Sequence, residues 1–263
     1  MDKLAKAGRS VFGICICVFG LQYFFYRGYA GGLPPMPPWA AGGITGAYFI
    51  GAILVVTGLA IAAGYRVPVF GTVLGAIFFA CVVAFHFQKL SLVIHDGNAR
   101  TRASEVVALG AIAWAIAGIA AARKRPEQTG GWKIVQEVGR WLLAITLIIF
   151  GVQHFMYAAF VATLIPAWIP GHLFFTYLTG AGMVATGISI ATKVYARLAG
   201  ILLGSMFLFW VVFLHAPRVM AQIHNGDEWT SAFIALAMSA GAFVVAATSR
   251  RGGGIVGPRD EQH

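Results

Sequence analysis

The sequence predicts an all-α, polytopic membrane protein: eight transmembrane helices, arranged as two parallel four-helix-bundle repeats. Three observations predict it. Hydrophobic residues make up 59% of the 263 residues and charged residues only 11%, with mean hydropathy +0.79, whereas a soluble domain carries about a quarter charged residues. Apolar runs of roughly twenty residues recur along the chain, each long enough to cross a hydrocarbon core of about 30 Å. Finally, the second half repeats the first.

The spans, in order, are read at 10–29, 44–64, 68–88, 103–122, 140–160, 172–192, 197–216 and 230–248. The first follows Lys3, Lys6 and Arg9 in the manner of a signal peptide. Its repeat partner, Trp141 to Phe160, lies mid-chain, so the first segment is read as a retained helix. In lipid every backbone group must be satisfied within the helices, which leaves irregular chain only between spans. Asp96-Gly97-Asn98 and Asn225-Gly226-Asp227 are turn sequences, with Asn98 and Asp227 as N-caps of the fourth and eighth spans. Pro37-Pro38-Trp39 and Pro166-Ala167-Trp168 read as interfacial turns that shape the fold. Four regions result: a first four-helix repeat over 1–122, a charged linker over 123–139, a second repeat over 140–249 and a Gly-rich tail over 250–263.

A shift of 129 positions places Trp39 on Trp168, Tyr48 on Tyr177, Gly51 on Gly180, Gly71 on Gly200 and Gly75 on Gly204. It also places His86 on His215, His95 on His224, Gly97 on Gly226 and Thr101 on Thr230. The first helix aligns with a shift of 131, as Gln22 on Gln153. An even number of helices per copy makes the repeats parallel, unlike inverted-topology transporters.

Of the Lys and Arg residues, fourteen fall in one set of loops and five in the other. By the positive-inside rule both termini are cytoplasmic, and the expected location is a bacterial inner (cytoplasmic) membrane. The formal charge of +10 is thereby explained by topology, with the lipid bilayer as partner and no nucleic acid. Cys15, Cys17 and Cys81 lie in apolar runs with no Cys-x-x-Cys pair, so they read as buried and inert.

Six of the seven histidines fall towards the outer face. His154 is set deepest, roughly 21 Å beyond Arg140 along a helix, and an ionisable group within the membrane is a functional candidate. Gln153 adjoins it and Tyr157 lies a turn further out. An imidazole, an amide and a phenol can hydrogen-bond the carbonyls of a quinone, with Trp168 as an apolar wall and His215 beside them. The bland reading is that His154 and Gln153 only tie helices together. A b-type haem between His86 and His215 is disfavoured, since both end their helices and no further spacing supports them. No metal set is indicated. Carboxylates argue against proton-driven solute transport: only Glu105 enters a span, and Ile234 occupies its repeat position.

Phe150, Gln153-His154-Phe155, Ile165-Pro166-Ala167-Trp168-Ile169-Pro170-Gly171, Thr179-Gly180, Arg197-Leu198-Ala199-Gly200 and Phe213-Leu214-His215 together resemble the DoxX-like family of four-helix bacterial membrane proteins. The resemblance covers 140–248, with 10–122 as a diverged copy. It implies a membrane partner of redox enzymes, named after subunits of a quinone-linked system. The chain departs from the family at Met183 and Leu54, where a glutamate is common, and at Tyr23, the counterpart of His154. The function so implied is that of a subunit of a quinone-linked, respiratory-type redox complex, with a quinone held in an outer-leaflet pocket by His154, Gln153, Tyr157, Trp168 and His215. A non-catalytic scaffolding subunit is the alternative, and a small-solute transporter the third reading.

Overall fold

A computed structural model of the chain describes residues 2–27, 43–86, 95–124 and 130–249. Trp39 with its prolines, the side chain of His86, linker residues 125–129 and the tail over 250–263 lie outside the described residues. The first half comprises α1 Asp2–Phe25, α2 Gly43–Ala63, α3 Val67–Cys81 and α4 Gly97–Lys124. The second comprises α5 Gly130–Met156, a short α6 Ala158–Thr163, α7 His172–Thr192, α8 Ala196–Trp210, a short α9 Ala216–Ala221 and α10 Gly226–Thr248. No strand occurs among the described residues, and eight of the helices are long and apolar enough to cross a membrane. The chain is an all-α, multi-pass membrane protein. Its outward side chains fit that setting: Phe25, Phe49, Phe174 and Phe209 are exposed, as lipid-facing groups should be.

Two helices start well before the span read from hydropathy. α1 begins at Asp2 and α5 at Gly130, so residues 130–139, read as linker, are helical. Lys and Arg interrupt the apolar run without interrupting the backbone hydrogen bonds. A 27-residue α5 is about 40 Å long, so its charged first turns extend beyond the hydrocarbon. The expected N-caps are also corrected. Asn225 caps α10 by accepting from the Asp227 N–H at 3.0 Å, and Asp96 accepts from the Asn98 N–H at 2.7 Å. The caps therefore sit two residues earlier than Asn98 and Asp227, where a side-chain oxygen reaches the free N–H groups of the first turn.

The repeat recurs in space. A Cβ on Gly71 would meet Ala113 O and Ala117 Cβ at 2.9 and 3.0 Å, and one on Gly200 would meet Ala242 O and Ala246 Cβ at 2.8 and 3.0 Å. Both sets of partners are 129 positions apart. Phe24 stacks on Tyr48 at 5.2 Å, and Phe155 on Tyr177 at 5.7 Å. Even the tight turns agree: Gly64 and Arg66 have φ of 79° and 39°, their counterparts Lys193 and Tyr195 65° and 53°. Each third helix widens into a π-helical stretch at the same place, Val82–His86 after α3 and Val211–His215 after α8.

The two copies interlock. Within each copy the first helix packs on the second and the third on the fourth; α1 then lies against α10, and α5 against α4. A Cβ on Gly8 would fall 2.7 Å from Ala240 O, and one on Gly139 2.6 Å from Ala111 O. The first helix of each half thus covers the last helix of the other. α4 and α10 are the most buried of the eight, and they touch where Ile112 meets its own counterpart, Gly241. Rising residue numbers on α1 meet falling numbers on both α2 and α10, and α5 behaves alike against α7 and α4. Neighbours are therefore antiparallel, and the halves run in the same sense.

Candidate functional site

The sequence singled out one end of the second half, where Gln153 and His154 lie near the end of α5, Tyr157 follows it, Trp168 sits in the loop before α7 and His215 ends the π-helical stretch after α8. The structure divides these side chains between two faces of α5.

Gln153 and Tyr157 face α4. Gln153 is 6% exposed; its Nε2 donates to Gly97 O at 3.3 Å, and its Oε1 accepts from Thr101 Oγ1 at 3.4 Å. Arg100 Nη2 donates to the Tyr157 hydroxyl at 2.7 Å, while the Tyr157 ring lies over Gly97, 2.9 Å from where a Cβ would stand. The first half supplies the matching contact. Thr230 Oγ1 donates to Gln22 Oε1 at 2.9 Å, and the Tyr26 ring covers Gly226 at 2.9 Å. Gln22 and Gln153 therefore act as paired polar ties between the halves. A buried amide in lipid calls for partners: both groups of Gln153 find them on the other copy, and Gln22 finds one there for its Oε1 while its Nε2 is left buried without a partner.

His154 faces away from them. Its Cβ is 2.9 Å from the place a Cβ on Gly180 would take, and its ring stacks on Trp210 at 6.0 Å and 21°. Its Nδ1 lies 2.8 Å from Phe150 O. A carbonyl only accepts, so Nδ1 carries the proton and the neutral ring offers Nε2 as an acceptor. Trp168, 65% exposed, lies 5.9 Å from the ring of Phe213. Its loop is tied by His172 Nε2 donating to Pro166 O at 3.2 Å. His215 ends the π-helical stretch, one i→i+5 step beyond Trp210. Its Nδ1 is buried without a hydrogen-bond partner.

Sequence reasoning missed three of these groups. Trp210 lies within the span read at 197–216 with no role assigned, and Phe213 entered only as part of the string Phe213-Leu214-His215. Glu228 was placed outside the spans, yet it lies in the first turn of α10, 8% exposed, with Arg218 Nη2 donating to its Oε1 at 2.8 Å. Its Oε2 is buried without a partner. The repeat itself held the signal. Counterparts of His154, Trp210, Phe213 and Glu228 in the first half are Tyr23, Cys81, Ala84 and Ala99. The packing glycines are kept in both copies, whereas the rings of Trp210 and Phe213 and the charge of Glu228 occur in one copy alone.

A separate open groove runs along the other end of α5, lined by Lys133, Ile134, Val138 and Trp141. There Arg140 Nη1 donates to the carbonyls of Ile190 and Ala191 at 2.7 and 2.6 Å, holding the end of α7. Glu137 is bound between Arg140 and Lys193. Among the described residues no three His, Cys, Asp or Glu side chains come together in a way that would hold a metal ion.

The class that fold and site define is a duplicated, multi-pass α-helical membrane protein with an aromatic–imidazole cluster at one end of its second copy. No protein-family model, curated protein or solved structure matches the chain.

Proposed function

We propose that the chain is a DoxX-like integral subunit of a quinone-linked redox complex in a bacterial inner membrane, and that its second half holds a quinone ring at the outer leaflet. The observation that carries this reading is the His154 ring stacked on Trp210 at 6.0 Å. It offers a polar edge beside an aromatic wall, on the face of α5 turned away from the inter-helical ties. Trp168 and Phe213 extend the wall, and His215 adds a second imidazole. Gln153 and Tyr157, engaged with α4, support the site by fixing α5 rather than by touching the ligand. Stacking against aromatic faces with a few convergent polar groups is how small apolar ligands are usually held.

Equilibrium binding of a short-chain quinone to nanodisc-embedded protein tests the reading. Saturable binding that weakens about tenfold or somewhat less in His154→Ala, the weight of an aromatic ring contact, supports it. Absence of saturable binding, or unchanged affinity in His154→Ala and Trp210→Leu, refutes it. The Lys/Arg distribution supports an outward-facing site, and reporter fusions at each loop test that orientation.

A scaffolding role is favoured by one specific observation: the symmetric ties of Gln22 and Gln153 make the two copies a single interlocked body. Co-purification of further chains with His154→Ala as well as with the native protein would select that role.

A further inference from the structure

The groups that the sequence assigned to a quinone's carbonyls are turned to α4 instead: Gln153 Nε2 donates to Gly97 O, and the Tyr157 hydroxyl accepts from Arg100 Nη2. The polar atoms left at this end are of the other kind. His154 holds its proton against Phe150 O and leaves Nε2 to accept. Glu228, more than nine-tenths buried, presents Oε2 with no partner, and an ionised carboxylate only accepts. Arg218 Nη2 donates to Oε1, and Glu228 stands in the first turn of α10. His215 Nδ1 is likewise buried and unpartnered, and it lies within electrostatic reach of both Arg218 and Glu228. The π-helical segment that carries His215 packs directly on α10, the helix that carries Glu228. Only the second copy is so equipped, since Ala99 replaces Glu228 in the first.

We infer that Glu228 is a specificity-determining residue that makes this site select a hydroxyl-bearing aromatic ring, the hydroquinone form, over the carbonyl-bearing quinone. A ring hydroxyl donates to Glu228 Oε2, with His215 Nδ1 alongside; a carbonyl at the same place sets oxygen lone pairs against a carboxylate. A site whose buried acceptor is left unfilled discriminates strongly against the ligand lacking the donor. The inference rests on the quinone reading above and adds the preferred redox form.

The test uses full-length protein in nanodiscs under anaerobic conditions, with a decyl-substituted hydroquinone, its quinone and its dimethyl ether. Bound ligand is measured by equilibrium dialysis. The native protein is expected to bind the hydroquinone about 10- to 100-fold more tightly than either other ligand, the range for one hydrogen bond to a charged group. Glu228→Gln, which keeps shape and can still accept from Arg218, is expected to lose that preference. The dimethyl ether arm tests the same point with no substitution at all. Equal binding of all three by the native protein, or a full preference retained in Glu228→Gln, overturns the inference and leaves the quinone reading intact. Failure of every ligand to bind saturably overturns both.

Discussion

Replacing Gly139 by Ala tests the interlock at a close approach of two backbones. The added Cβ would stand 2.6 Å from Ala111 O and 2.8 Å from Ala115 N, both backbone atoms of α4, where ordinary contact begins near 3.4 Å. Backbone cannot rotate out of the way, so α4 and α5 must part locally by roughly 0.8 Å, an overpacking that typically costs about 1–3 kcal/mol. Gly8 makes the equivalent approach between α1 and α10, at 2.7 Å from Ala240 O. The double variant should therefore lose about twice as much, because distant sites add. Gly182 in α7 is the control: nothing lies within 4 Å of its would-be Cβ, so Gly182→Ala should be neutral or stabilising by up to about 1 kcal/mol. The assay is equilibrium unfolding in mixed micelles, followed by tryptophan fluorescence. If Gly139→Ala unfolds at the same denaturant fraction as Gly182→Ala, the two halves do not approach as described, and the crosswise packing is refuted.

Thr230→Val removes the hydrogen bond that its hydroxyl donates to the buried Gln22 amide, so unfolding free energy should fall by about 1–2 kcal/mol. Thr101→Val should cost less, because its bond to Gln153 is longer and Gln153 keeps Gly97 O. Arg140→Met strips two carbonyls at the end of α7 of their donor, and a loss of about 1.5–3 kcal/mol is expected in the same unfolding assay. Cys15 and Cys81 are buried, so a membrane-permeant maleimide should modify them only after denaturation; rapid labelling of either in folded protein would contradict the packing of α1 or α3.

Much of the architecture was legible because lipid simplifies the code. An apolar run of sufficient length must be a helix, and a copied run must be a copied helix. The copied glycines went further, since a residue with no side chain marks where backbones approach, as Gly71 and Gly200 do. Which copy a helix face meets was not legible. Gln22 and Gln153 line up in sequence whether they bond within their own half or across to the other, and only coordinates separate the cases. The same ambiguity hid the division of the candidate site. Adjacent residues on a helix point about 100° apart, so Gln153 and His154, neighbours in sequence, serve different faces of α5. Glu228 escaped notice because hydropathy treats a charge near a helix start as solvent-exposed. The fold of the chain around Arg218 buries it instead.

The tie between Gln22 and Thr230 joins residues 208 positions apart. A ribosome therefore delivers the two ends of this bond at widely separated moments, and α1 enters the bilayer long before its lid exists. During that interval the Gln22 amide faces lipid, translocon or a chaperone. Closure of the assembly thus waits on α10, and a chain stalled short of it would display an unsatisfied amide within the membrane, a mark by which quality control could know it.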